Sequence, residues 1–261
     1  MVPDLALILA AGRGTRLRPT TDRIPKCLVQ VDLRPILCRM LEDLERAGVV
    51  EVVVVVGYLG ERIREEVGDS WGSMTVTYSE NRDWATTNNI VSLLGAAERA
   101  KRDFFLIEGD LVWEPGASGI LGMPDRAAVV PYTQGMNGTA VRISEEGTIT
   151  EVIMNPVSGQ IEQAFGLWKT VNAWSLSCSA FHDNLVPRMQ ALVRRGNHGV
   201  FYERAIAEAI ADGDMNVQGV DFSKVVWVEV DDRNDLERAR RLFPSEPDRS
   251  AATVHRGGKD T

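Results

Sequence analysis

Three short runs limit what this chain can fold into: LALILAA at 5–11, VVEVVVVVG at 49–57 and FFLIEG at 104–109. Each is nearly continuous in apolar residues and stops at or beside a glycine. A strand without polar alternation must be covered on both faces, as parallel strands are when crossover helices pack above and below them. The segments between the runs supply such helices. Residues 35–47 set Ile36, Leu37, Met40, Leu41 and Leu44 at helical spacing, with Gly48 as a stop. A short helix is expected at 61–67, an alternating strand at 74–79, and a helix at 89–101 with Ile90, Leu93, Leu94 and Ala97 inward. The order β, α, β, α, β, α, β predicts an α/β fold with a doubly wound, mixed and mainly parallel central sheet.

Beyond Pro115 the texture changes. Short β-rich runs at 127–131, 138–143, 148–154 and 170–177 are broken by the turn sequences EEGT and NPVSGQ, which predicts a smaller β-rich section lying against the first half. Helices are expected at 182–195, 202–212 and 232–242, with a strand at 225–230. These elements make one domain over 1–243, divided into halves at 1–115 and 116–243. The aperiodic tail 244–261 is expected to be disordered. A hydrophobic content of 44% over 261 residues suffices for a buried core. The net charge of -8 speaks against a general nucleic-acid surface, and no apolar run reaches the roughly 18 residues of a membrane span. Cys27, Cys38 and Cys178 lack CxxC spacing, so neither a disulfide framework nor a zinc site is indicated and the cytoplasm is the expected location.

Against that acidic background the stretch LILAAGRGTRLRPTTDRIPK, 7–26, gathers Arg13, Arg16, Arg18, Arg23 and Lys26 around two glycines. Leu17 occupies the place where a dinucleotide fingerprint needs a third small residue, and the Walker A pattern is absent. Two readings remain. One is a surface turn with solvated arginines; the other is a glycine loop whose amides approach phosphates, with Arg16 and Lys26 reaching the same anion.

LAAGRGTRLRPTTDRIPK is similar to the signature of the sugar-phosphate nucleotidyltransferases, L-A-A-G-x-G-T-R-L-x-P-x-T, a short spacer, then P-K. The resemblance implies the Rossmann-like fold of that family, with 1–115 binding nucleotide and 116–243 binding the acceptor. It also implies that the loop residues Leu9, Ala10, Ala11, Gly12, Gly14 and Thr15, with Arg16, hold a nucleoside triphosphate. Lys26 would touch the α-phosphate and the acceptor's phosphate. Such a transfer calls for Mg2+, which offsets charge on the α-phosphate and on the departing pyrophosphate. Asp110, at the end of the buried strand FFLIEGD, is the first expected ligand, since strand ends form the ligand crevice of such sheets. VWVEVDD, 226–232, looks like the late E-x-D of the family's cytidylyltransferases and offers Asp231 as the second ligand and Glu229 as a third. Asp231 could instead cap the following helix, although Asp232 is the better candidate for that task.

Two further stretches point to a branch of the family. TNNIVSL resembles the N-N-x-x-S-L of phosphocholine cytidylyltransferases and of cytidylyltransferases that activate phosphonates, so Asn88, Asn89 and Ser92 would read the base or ribose. Asn88 also stands where a helix N-cap is expected. LWKTVNAWS, 167–175, looks like the K-T-V-N of the phosphonate branch, which would set Lys169 and Asn172 on the acceptor. A solvated lysine on a strand is the alternative. Trp84, Trp168 and Trp174 could line a pocket or belong to the core, while His182 and His198 lack partners at triad or metal spacing. The expected function is Mg2+-dependent transfer of CMP from CTP to a small phosphonate or phosphocholine-like acceptor with release of pyrophosphate. A sugar-1-phosphate nucleotidyltransferase using UTP, dTTP or GTP, and a noncatalytic nucleotide-binding regulator, are the alternatives.

Overall fold

The computed structural model describes residues 1–133, 135–154, 156 and 166–244. The expected turn NPVSGQ and the tail both fall almost wholly outside those residues. In chain order the first strands are β1 (Leu5–Ala10), β2 (Gln30–Val31), β3 (Arg34–Pro35), β4 (Glu51–Val56), β5 (Ser70–Trp71), β6 (Met74–Glu80) and β7 (Phe104–Glu108). They are followed by β8 (Leu111–Trp113), β9 (Arg126–Pro131), β10 (Ala140–Ile143), β11 (Ile149–Ile153), β12 (Leu167–Leu176), β13 (Gln218–Asp221) and β14 (Trp227–Glu229). The helices are α1 (Ile36–Arg46), α2 (Gly60–Val67), α3 (Asn89–Gly95), α4 (Ala117–Leu121), α5 (Val186–Arg194), α6 (Glu203–Ala211) and α7 (Arg233–Leu242).

The main sheet runs β11, β10, β12, β7, β1, β4, β6, β5, with β9 on the second edge of β12 and β13 beyond it. β7, β1, β4 and β6 are parallel, whereas β12 is antiparallel to β7 and ties the β-rich section into the same sheet. Coverage of both faces follows from strand periodicity. Leu5, Leu7 and Leu9 pack with Ile90 of α3, Met189 of α5 and Ile206 of α6, whereas Ala6, Ile8 and Ala10 pack with Leu37 of α1, Ile63 of α2 and Leu121 of α4. The doubly wound expectation holds for this reason: each apolar run feeds two cores at once.

Several boundaries differ from the sequence reading. The helix expected over 89–101 stops at Gly95 and gives way to a 3-10 turn, Ala97–Arg99, because glycine weakens the helix where the chain turns toward β7. The helix expected over 182–195 opens as a π-helical turn, Ala180–Leu185, ahead of α5. Pro187 in the first turn of α5 has no N–H to give to the preceding turn. β13 was not anticipated. Its Gly219 packs so closely under Ile143 that an added Cβ would lie 2.6 Å from the isoleucine methyl, so the strand carries a residue with low strand propensity.

A third core, small and separate, decides the site. Leu17, Val29, Val31 and Ile36 from the first loop and its surroundings meet Val112 of β8, Val228 and Val230 around β14, and Leu236 and Ala239 of α7. The basic loop is thereby fastened to the β8–β14 ribbon.

Candidate active site

β8 and β14 pair antiparallel, with Leu111 opposite Glu229, and the Val230 amide donates to the Asp110 carbonyl at 3.0 Å. This register brings Asp110 alongside Glu229 and Asp231, whose carboxylates can bring one oxygen each within 4.8 Å of the others. Asp231 is free to face the site because its neighbour does the capping. Asp232 Oδ1 accepts from the Asn234 and Asp235 amides at 2.7 and 3.0 Å, and Asp235 Oδ2 in turn accepts from the Asp232 amide at 3.1 Å.

The five cations of the opening loop divide by partner. Arg13 and Arg18 pair with Asp22 at 3.5 and 2.6 Å and brace the loop, and Arg23 is exposed. Arg16 reaches Asp231 at 2.7 Å. Lys26 donates to Asp110 Oδ2 at 2.6 Å and to Asp231 Oδ1 at 2.7 Å. Burial pushes the Lys26 ammonium down, but the carboxylates of Asp110 and Asp231 outweigh it and hold its pKa above the ordinary lysine value. Burial likewise pushes Asp231 up, and Lys26 and Arg16 together bring it below the usual carboxylate range. Gly14 makes this arrangement possible. It sits at φ 65°, and a Cβ there would lie 2.9 Å from Lys26 Cβ.

A second carboxylate group lines the cavity deeper in. Lys169, 5% exposed on β12, donates to Glu229 Oε2 and to its neighbour's carbonyl, Thr170 O, at 3.1 Å each. Asn172 donates to Glu229 Oε1 at 3.2 Å. Asn172 adopts φ 59° where the β12–β9 register shifts, a bulge that breaks the strand's alternation at that position. Lys169 is therefore neither solvated nor unpaired; it and Asn172 clasp Glu229. Burial raises the Glu229 pKa despite Lys169, raises Glu203 to about 7, and raises Glu108 well above the carboxylate range with help from Glu203 and Asp110.

The TNNIVSL residues reach the same cavity with much of their polarity already spent. Asn88 caps α3 by accepting from the Asn89 amide at 2.8 Å and donates to Gly199 O at 3.1 Å. Asn89 donates to Glu108 Oε1 and accepts from the Tyr202 amide, both at 2.9 Å, and Ser92 Oγ accepts from Asn81 Nδ2 at 2.9 Å. Of the three tryptophans considered from sequence, Trp84 lines the cavity, Trp168 packs half-buried against the core and Trp174 is fully buried. His182 Nε2 lies 2.7 Å from Ala100 O, and His198 is exposed.

Loop, ribbon and β12 enclose a cavity of about 1090 Å3, lined by every site residue expected from the sequence, from Leu9 and Arg16 through Asn88 to Asp231. Sequence reasoning did not single out Glu108, Glu203 or the Gly135–Thr139 loop, which line it too. A signal for the first two was present. Glu108 is the lone charge in an apolar strand, and Glu203 shares a helical face with Ile206 and Ile210.

The donor set also fits a hard divalent cation. Asp110, Glu229 and Asp231 offer only carboxylate oxygens, and the buried Oδ1 of Asp110 has no hydrogen-bond partner.

Among the described residues no helix is long and apolar enough to cross a membrane. The chain is 35% identical over 98% of its length to CMP-5'-(3-aminopropyl)phosphonate synthase of Streptomyces rubellomurinus, of which it spans 42%. It is 37% identical, over 92% of its own length and 99% of the other's, to choline-phosphate cytidylyltransferase of Streptococcus pneumoniae. The solved CTP:phosphocholine cytidylyltransferase from Streptococcus pneumoniae superposes with a TM-score of 0.76, covering 92% of this chain and 99% of that one with 20% of paired residues identical, and so shares the fold. Residues 6–212 match the model of the MobA-like NTP transferase domain, and the chain belongs to that family.

Proposed function

We propose that this chain transfers CMP from CTP to a small phosphonate or phosphocholine-like acceptor and releases pyrophosphate. The observation that carries the reading is the convergence of Lys26 and Arg16 on Asp110 and Asp231 beneath a glycine loop. It places cations, loop amides and a carboxylate set within one cavity. The names of the relatives support CTP and a phosphonate or choline-phosphate partner.

The loop 9–15 and Arg16 bind the triphosphate, its amides and guanidinium meeting the β- and γ-phosphates. Lys26 steadies the negative charge that grows on the α-phosphate. An ionised acceptor oxygen attacks the α-phosphorus in line; the new O–P bond forms as the bond to the β-phosphate oxygen breaks, and pyrophosphate leaves with that electron pair. No general base is required, because the attacking oxygen carries no proton. Asp110, Glu229 and Asp231 would hold Mg2+, which when bound offsets the charge on the α-phosphate and on pyrophosphate. Lys169 and Asn172 keep Glu229 in place and present their remaining polarity to the acceptor.

The test is pyrophosphate release with CTP, UTP, dTTP and GTP against phosphocholine, aminoalkylphosphonates and sugar 1-phosphates. CTP with a phosphonate or phosphocholine should be the productive combination. Turnover confined to UTP, dTTP or GTP with a sugar 1-phosphate would replace this reading, and turnover with none would leave a nucleotide-binding regulator.

A further inference from the structure

Two carboxylates on the cavity wall, Glu203 buried and Glu108 half-buried, have no task in the transfer just described. Glu108 closes β7 and Glu203 opens α6, and both face the cavity that holds Lys169, Asn172 and Glu229. Glu203 is 4% exposed, and its Oε2 has no hydrogen-bond partner. Glu108 accepts from Asn89 Nδ2 at 2.9 Å, and the same amide's oxygen accepts from the Tyr202 amide, so Asn89 fixes one carboxylate against the residue preceding the other. Among the described residues no lysine, arginine or histidine forms an ion pair with either glutamate, because Lys26 is engaged by Asp110 and Asp231 and Lys169 by Glu229.

Burying a carboxylate without a cation is costly, and two that share a cavity also repel. A ligand that brings the missing positive charge would relieve both penalties. We propose that Glu203 and Glu108 form a subsite for a protonated primary amine carried by the acceptor at the end opposite its phosphonate or phosphate. The inference rests on the function proposed above and narrows its substrate class to ω-aminoalkyl phosphonates and phosphates. Carboxylate oxygens ask for N–H donors, which a primary ammonium has and a quaternary one lacks. Of the rings that line the cavity, Trp227 has Lys169 Nζ 6.0 Å from its centre and Trp84 packs edge-on to Tyr58 at 5.1 Å, while Phe201 and Phe222 also border it.

The experiment compares 3-aminopropylphosphonate with n-butylphosphonate, which has the same number of heavy atoms and a methyl in place of the ammonium, and adds phosphocholine as a third acceptor. Pyrophosphate release is followed at saturating CTP for the wild type, Glu203→Gln and Glu203→Asp. The wild type should favour the amine by about tenfold to a hundredfold in kcat/KM over butylphosphonate. Glu203→Gln should shrink that ratio to within about threefold, and Glu203→Asp, which keeps the charge, should retain most of it. The wild-type ratio needs no variant, so the inference can fail even if Glu203→Gln does not fold. Equal turnover of the two phosphonates by the wild type, undiminished preference in Glu203→Gln, or a preference for phosphocholine would overturn the subsite while leaving cytidylyl transfer standing. Turnover of sugar 1-phosphates alone would remove the proposed function and this inference together.

Discussion

Lys26 and Asp110, 84 residues apart in the chain, are joined by a 2.6 Å hydrogen bond at the floor of the cavity. The second oxygen of that aspartate is buried and has no hydrogen-bond partner, so one side chain binds a fixed ammonium through one oxygen and keeps the other unengaged. Asp110→Asn keeps the volume and removes the charge. Turnover should fall by about a hundredfold or more. The fold should persist, since Lys26 still holds Asp231. Thermal denaturation with and without Mg2+ checks the assignment: the increment that Mg2+ gives the wild type should vanish in the variant.

Gly14 and Gly12 make a contrast within one loop. Alanine at Gly14 must accept a positive φ and crowd the Lys26 side chain, whereas nothing lies within 4 Å of a Cβ at Gly12. Gly14→Ala should therefore lose about 1–2 kcal/mol of stability, and most of the activity as Lys26 is displaced. Gly12→Ala should stay within about 0.5 kcal/mol of wild type. Urea midpoints of the two variants decide the matter.

The Lys169–Glu229 pair can be dissected by a double-mutant cycle. Lys169→Ala strands a mostly buried carboxylate whose remaining donor is Asn172, and should cost about 3 kcal/mol. Adding Glu229→Gln to that variant should recover a kilocalorie or more, about the size expected for a contacting pair. Strict additivity of the two losses would mean that the clasp contributes nothing to folding.

Glu203 predicts an unusual pH dependence. Burial raises its folded pKa to about 7 from 4.5, with Glu229 adding to the rise and Asn89 and Lys169 opposing it. The folded state thus binds this proton more tightly than the unfolded chain. The resulting stabilisation is complete below about pH 4.5 and is lost as the pH rises through about 7, to a limit of about 3 kcal/mol. Glu203→Gln should flatten that slope and exceed the wild type in stability near about pH 8. Denaturant midpoints across this window measure it, and a slope unchanged by the substitution would refute the assignment.

Most of the sheet was legible in the sequence because the signals are local. Leu5–Ala10 and Glu51–Val56 announce their two-sided burial in their own composition, α1 shows its face in the spacing of Leu37, Met40, Leu41 and Leu44, and Asp232 with Asp235 forms a cap within four residues. The glycine loop was recognisable for the same reason, since close backbone approach demands small residues in series. What the sequence could not settle was which charges meet. Arg13 and Arg18 serve Asp22 while Arg16 and Lys26 serve Asp231, and although the family signature sets Arg16 and Lys26 apart, it does not show which carboxylates they meet. Lys169 reads as a free cation until β14 places Glu229 against it, and Asn89 reads as a partner for the base or ribose until Glu108 of β7 accepts from its Nδ2 and the Tyr202 amide donates to its Oδ1. Secondary structure follows from periodicity over a few residues, whereas the partner of a charge depends on strand register and helix docking between distant segments, such as those of Lys26 and Asp231, 205 residues apart. The tertiary fold alone supplies that register, through the small apolar core that fastens the first loop to the β8–β14 ribbon.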